Sequence, residues 1–267
     1  MSDLPPVFVA SLGRPRGSTF QLLRRLGVSN VTIVCEPQES AAYRDSQPDF
    51  AVVVLPRSDG GVHYVRNFVL RQVAPPMGWF WLLDDDIEAL FELDDSNVRQ
   101  KAERSDVFRV PATIASNVAC ALFGLEYERY LNKADPICNS YCTVCVCINR
   151  IRLPPLMRYH FRVREDYDFI LQLVCQGRSV SRRRRAAFRV PAQGSNVGGM
   201  HVAYRSTSLN GDDERFLAMW SSVFGHQAVH GRNEASATRR VCVQWQRLKP
   251  LQLTPSQLSV CRVIATL

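Results

Sequence analysis

Four short apolar runs in the first third of the chain narrow its fold more than any other feature: "PVFVASLG", "NVTIVCE", "DFAVVVLP" and "GWFWLLDDD". They are nearly continuous and rich in β-branched or aromatic side chains, the pattern of strands covered on both faces. After the first run a Pro/Gly-rich turn, "GRPRGS", leads into a predicted helix over Thr19 to Leu26. Ser18 stands where it can cap that helix, and Phe20, Leu22, Leu23 and Leu26 keep helical spacing. Before the last run, "VHYVRNFVLRQVA" sets Val65, Phe68, Val69 and Val73 against Arg66 and Asn67, an amphipathic helix ended by Pro75 and Pro76. Strands alternating with helices predict an α/β fold, a mostly parallel sheet flanked by helices.

The rest of the chain is less regular. "ELDDSNVRQKAERSD" reads as an exposed, charged loop or lid, and a helix is expected from about Pro111 to Leu122. A strand over Thr143 to Ile148 and the turn "RLPPLMRY" precede a helix in "REDYDFILQLVCQG", with carboxylates at its start and Gly177 at its end. "RSVSRRRRAAFRVP" reads as a further strand and "QGSNVGGMH" as a glycine-rich loop. No repeat and no linker divides the chain, so a single domain is expected.

A formal charge of +8 and a pI near 9.2 favour an anionic partner, nucleic acid or nucleotide first. The start, "MSDLPPVFVASLG", lacks the basic-then-apolar pattern of a signal peptide, and no stretch reaches the ~18 apolar residues of a membrane span. A soluble, non-secreted, intracellular protein is expected, nuclear in a eukaryote. Nine cysteines, several inside strand-like runs, favour reduced thiols. In "CNSYCTVCVCINR" a strand puts Cys145 and Cys147 on one face and Cys142 on the other, which divides any zinc ligand set. Buried structural cysteines are the expectation.

The chemistry gathers at strand ends, where open α/β sheets bind their ligands. The first run leads to Arg14 and Arg16, the second to Glu36, the third to Arg57 and Asp59, and the fourth to Asp84, Asp85 and Asp86. Adjacent carboxylates repel, and at least one of these points toward a low-dielectric core, for which a cation is the usual remedy. If the chain stays extended, Asp84 and Asp86 share a face as a DxD pair. Arginines beside a hard-cation site suit a nucleoside diphosphate, whose oxygens Mg2+ or Mn2+ bridges. The competing reading is a solvated acidic turn, but such turns seldom follow an apolar run with two tryptophans.

The ordered set "GRPRGST", "VTIVCEP", "GGVHYVRNFVL", "WFWLLDDDI", "REDYDF" and "GSNVGGMH" resembles the TET/JBP-associated glycosyltransferases, a GT-A-fold group that includes base J (hydroxymethyluracil DNA) glucosyltransferase. The resemblance spans roughly residues 7 to 205. It implies a GT-A-like (Rossmann-like) domain over 1–267, with a nucleotide-sugar half over about 7–100 and an acceptor and catalytic half over about 101–267. The implied reaction is inverting transfer of a sugar, glucose first, from a UDP-sugar to the hydroxymethyl group of hydroxymethyluracil or hydroxymethylcytosine in DNA. Mn2+ or Mg2+ is the implied cofactor.

On that resemblance Asp86 and Asp84 hold the metal, with His201 as a further ligand. Arg14, Thr19 and Glu36 lie near the nucleoside, Tyr64, Arg66 and Asn67 near the uridine or diphosphate, and Asp84 and Asp85 add to the donor contacts. Inversion needs a carboxylate to take the acceptor's proton, and Asp166 is the implied base, with Glu165 and Asp168 in reserve. Acids in a helix's first turn fit plain capping equally well. "SRRRR", with Arg150, Arg152, Arg158, Arg162 and Arg164, offers charge to a phosphate backbone, although the run also fits a solvated strand edge. Tyr159, Phe161 and Tyr167 fit either base stacking or the core. Two other classes of function remain: a GT-A enzyme with a protein or other acceptor, and a non-catalytic descendant that binds nucleotide or DNA.

Overall fold

A computed structural model describes residues 4–134, 136–138, 140–192, 195, 210–233 and 239–248. The four apolar runs are strands β1 (Val7–Ala10), β2 (Val31–Cys35), β3 (Ala51–Val54) and β4 (Trp79–Asp84), side by side as β3-β2-β1-β4 and all parallel. The crossovers carry α1 (Ser18–Arg25), α2 (Ser40–Ser46) and α3 (Gly61–Phe68), the last extended by a π-turn over Val69–Val73. Ser18 opens α1 instead of capping it; Gly17 takes the cap position, with no side-chain bond.

Beyond β4 the sheet becomes mixed. The expected lid is a hairpin, β5 (Ala89–Leu93) and β6 (Arg99–Lys101). The expected helix over Pro111 to Leu122 is helical only in α4 (Ala112–Ser116), and β7 (Cys120–Tyr127) follows at once. "CALFGLEY" has almost no polar face, so periodicity does not separate a buried strand from a buried helix. Pairing on both sides decides it, with β9 (Cys145–Asn149) at one edge and β10 (Ser179–Arg189) at the other. The order continues β4-β9-β7-β10-β5-β6, with the short β8 (Ile137–Cys138) also on β10. β9 runs antiparallel to both β4 and β7, so β7 and β10 point the same way as β4. Helices α5 (Glu165–Cys175) and α6 (Asn210–Phe224) and a separate ribbon, β11 (Val229–Asn233) with β12 (Arg239–Val243), complete the described elements.

The central strands are apolar throughout because both faces are covered. Phe80 and Leu82 of β4, with Val146 and Ile148 of β9, pack beneath α3, α5 and α6. Trp81 and Leu83, with Cys145 and Cys147, pack on the opposite side against α1, α2 and the segment carrying Val107 and Phe108. Each such large side chain stabilises the fold by ~1.5–3 kcal/mol through burial, and the Trp81 indole keeps a partner by donating to the Phe108 carbonyl at 2.8 Å. Cys142 lies with the first group and Cys145 and Cys147 with the second, as the strand reading expects. All three are free thiols, and burial pushes them up, away from the thiolate a metal needs.

The arginine run is half-buried and engaged with protein partners. Arg182 pairs with the buried Glu126 at 3.1 Å and lies over the Tyr141 ring, and Arg184 approaches the same carboxylate at 3.9 Å. Arg183 reaches Glu92 at 4.0 Å, and Arg185 donates to Asn97 and the Asp94 carbonyl. β10 is paired on both sides, so the run is not a free strand edge. Tyr159 and Phe161 are core residues. Among the described residues, no helix is long and apolar enough to cross a membrane.

Candidate active site

The carboxyl ends of β1, β2, β3, β4, β7 and β10 open into one cavity of about 1050 Å³. Ordinary small-molecule pockets span roughly 300–1,000 Å³, so this one has room for a large ligand or for two. Arg14, Glu36, Arg66, Asp84, Asp85, Asp86, Glu165 and Asp166 all line it.

The acidic triplet does not continue the strand. β4 ends at Asp84 and the chain turns over Asp85 and Asp86, held from below by the start of α1. Thr19 Oγ1 donates to the Asp84 carbonyl at 2.7 Å and accepts from the Ile87 amide at 2.8 Å, while the Thr19 amide donates to the Asp85 carbonyl at 3.3 Å. Gly17 permits this contact: a Cβ there would sit 2.4 Å from the Asp85 carbonyl oxygen. Asp85 turns inward, where its carboxylate accepts from Ser11 Oγ at 2.6 Å and Arg14 Nη1 at 2.7 Å. Arg14 also reaches Asp86 at 3.2 Å. Burial raises the Asp85 carboxyl against the pull of Ser11 and Arg14. Asp84 is raised too, first by enclosure and then by Asp86, with Arg66 opposing.

Arg66 joins the two halves of the site. From α3 its Nη2 donates to Asp84 Oδ1 at 2.9 Å and its Nη1 to Glu165 Oε1 at 2.8 Å, with only 7% of its side chain exposed. Its Nε is buried without a partner among the described residues. Asn67, next along, fixes the segment that leads to α5: its side chain donates to the Tyr159 carbonyl and accepts from the Tyr159 amide, both at 2.8 Å. Glu165 and Asp166 begin α5 after Arg164, which turns the chain through a left-handed conformation at φ 62°. Burial pushes Glu165 up to about 8 despite Arg66. Asp166 is half-buried, and its Oδ1 accepts from the Tyr167 amide at 2.8 Å.

Three expected donor contacts therefore have other work. Thr19 pins the acidic turn, Asn67 splints the approach to α5, and Tyr64, its ring beneath the Arg57 guanidinium, is not among the lining residues. Asp168, a reserve base, is fully buried. His160, Gln172 and Trp220 all donate to its carboxylate, which leaves no route to a substrate. His201 and most of the glycine-rich loop lie outside the described residues.

The sequence signature of the TET-Associated Glycosyltransferase family matches residues 5–195, which takes in every strand from β1 to β10. The chain belongs to that family. Glycosyl transfer is the reaction class that this membership carries, and the mixed, mostly parallel sheet flanked by helices agrees with the GT-A-like architecture expected for it. Among solved structures, S. aureus TarS (residues 1–349) is similar at 12% identity and a TM-score of 0.44, over 70% of this chain and 59% of that one. No curated protein matches the chain in sequence.

The metal expected of this glycosyltransferase has suitable donors but no preformed cage. Among the described residues no three His, Cys, Asp or Glu side chains come together as a metal site. Magnesium-type ions are commonly held by one or two carboxylates, water and substrate phosphates. Asp84 and Asp86 supply such a pair on the cavity wall, and the repulsion between them is what a divalent cation relieves. The rim also holds residues with no forewarning in sequence: Tyr127 at the end of β7, Glu128 and Arg129 directly after it, and Arg189 at the end of β10. They were hidden because β7 reads as a helix; the aromatic and charged "EYERY" directly after an apolar run was the available signal.

Proposed function

We propose that this glycosyltransferase binds a UDP-sugar, glucose first, with Mn2+ or Mg2+, and transfers the sugar with inversion to the hydroxymethyl group of hydroxymethyluracil or hydroxymethylcytosine in DNA. One observation carries the reading: Arg66 bridges Asp84, at the end of β4, and Glu165, beside Asp166, inside one cavity. Donor-side and acceptor-side carboxylates are thereby held around a single buried cation.

Each side chain has a task. Asp84 and Asp86 would hold the divalent ion, which, when bound, offsets charge growing on the departing diphosphate. Arg14 and Arg66 neutralise phosphate oxygens in an enclosed setting where such contacts are strong. Glu36, fixed by a 2.7 Å bond from Gln38, accepts hydrogen bonds from the nucleoside. The acceptor oxygen attacks the anomeric carbon as the bond to UDP breaks, the bonding pair leaves with UDP, and the hydroxyl proton passes to Asp166. Glu165 is the poorer base, because burial favours its protonated form and Arg66 holds it away from an incoming hydroxyl.

The test is incubation with labelled UDP-glucose, Mn2+ and oligonucleotides carrying hydroxymethyluracil or hydroxymethylcytosine. Label should appear on one of them; label on neither defeats the DNA acceptor. Asp166→Asn should keep UDP binding and lose transfer by ~10²–10⁴-fold, the usual contribution of a general base.

A further inference from the structure

Beyond the carboxylates, the cavity has a side to which the donor reading assigns no contact. It is built by the residues that follow β7, a strand parallel to β4 with β9 between them. Arg129 is exposed there and lines the cavity, its guanidinium 4.7 Å over the Tyr130 ring and 5.8 Å from that of Tyr127. Among the described residues Arg129 has no carboxylate partner, because its neighbour Glu128 is taken by Arg189 and Arg99. Three arginines thus stand against one glutamate. Tyr130 is 48% exposed and is the one large aromatic ring in that state among the described residues. A guanidinium over one face of a half-exposed tyrosine offers a phosphate contact and a base-stacking surface together, the combination that binds unpaired nucleic acid.

Depth points the same way. Glu165 is only 10% exposed, and Asp166 follows it in the first turn of α5, within the cavity that Tyr127, Tyr141 and Tyr167 help to wall. A base paired in a duplex presents its substituent inside the major groove, and a carboxylate recessed in a cavity cannot enter that groove. The nucleotide has to come to the carboxylate. We infer that the acceptor is taken as an unpaired nucleotide, extruded or single-stranded, which enters past Tyr127 while Arg129 grips its flanking phosphate and Tyr130 stacks on the adjoining base. This rests on the DNA-acceptor reading and adds to it how the strand is presented.

The test measures binding of the full chain to fluorescein-labelled oligonucleotides carrying hydroxymethyluracil. The same strand is offered alone, fully paired, and in a duplex with the modified base opposite an abasic site. The wild-type protein should bind the single strand and the abasic duplex at least about tenfold more tightly than the paired duplex. Tyr130→Ala should lose about tenfold on the unpaired forms, the lower part of the range for one stacked base, and Tyr130→Phe should restore it. Arg129→Ala should reduce the slope of log affinity against log salt by about one phosphate contact. Equal or tighter binding of the paired duplex overturns the inference, as do unchanged affinity and salt slope in both variants, or no oligonucleotide binding at all. UDP affinity on the same samples reports separately on the donor reading: its loss in wild-type protein counts against that reading, and the strand comparison still decides this one.

Discussion

Replacing Arg66 with alanine tests whether one guanidinium holds the site together. The side chain is 7% exposed and holds Asp84 at 2.9 Å and Glu165 at 2.8 Å. Removing one partner of a buried ion pair costs ~3–5 kcal/mol, because the remaining charge is left uncompensated. Asp84 is 33% exposed and can rehydrate through the cavity, whereas Glu165 at 10% cannot, so the lower figure, ~3 kcal/mol, is expected at pH 9, above the native Glu165 value of about 8. At roughly 2–4 °C per kcal/mol for a chain of this size, Tm should fall by about 6–12 °C. The sign with pH follows. Without Arg66 both carboxyls rise further above the values they hold in the native protein, so the variant's penalty develops as pH climbs through those native values, about 8 for Glu165, and shrinks as acid protonates them. Arg66→Lys should fall between, since an ammonium cannot fork across two carboxylates. Thermal unfolding at pH 6 and pH 9, with chelator present, measures this. A fall of less than about 2 °C at pH 9, or one that is the same at both pH values, would refute the reasoning.

Three further outcomes follow from neighbouring geometry. Gly17→Ala drives a methyl group against the Asp85 carbonyl, 2.4 Å away, so it should destabilise by ~1–3 kcal/mol and weaken UDP and Mn2+ binding in calorimetry. Thr19→Val removes the two bonds that pin the acidic turn and should lower stability by ~1–3 kcal/mol and slow UDP-glucose turnover, although Thr19 does not line the cavity. Glu165 is held near 8 from an ordinary 4.5, so the native state binds its proton more tightly than the unfolded chain does. Stability is therefore lost as pH rises through that window, by at most ~1.4 kcal/mol per pH unit, and Arg66 moderates the slope. Glu165→Gln should flatten Tm between pH 5 and pH 8, and an unchanged slope speaks against a raised Glu165.

The first half of the fold was legible because its signals are local. Each of β1 to β4 is an apolar run bounded by turn residues, and the acids and arginines at their ends needed only the rule that ligands gather at carboxyl ends. The second half depends on pairings between distant segments. β7 has no periodicity to announce it, and only its place between β9 and β10 makes it a strand. Roles were harder to read than positions. Thr19 and Asn67 look like ligand contacts, since a polar side chain near a site has the same letter whether it faces a substrate or a backbone amide. Asp168 and Asp166 are two residues apart in one helix turn, and burial alone separates the buried hydrogen-bonded carboxylate from the proposed base. The DxD geometry assumed an extended chain, whereas the turn at Asp85 sends the middle carboxylate inward to Ser11 and Arg14.

The reversed strand at the middle of the sheet has a metrical consequence. Adjacent strands lie ~4.8 Å apart, so the tips of β4 and β7, with β9 between them, stand ~10 Å from each other. Asp84 occupies one bank and Tyr127 the other, and backbone hydrogen bonds, such as that from the Asp84 amide to the Val144 carbonyl at 2.9 Å, maintain the interval. Point substitutions can change what each bank prefers but leave its width untouched. Resizing the gap requires adding or deleting a strand.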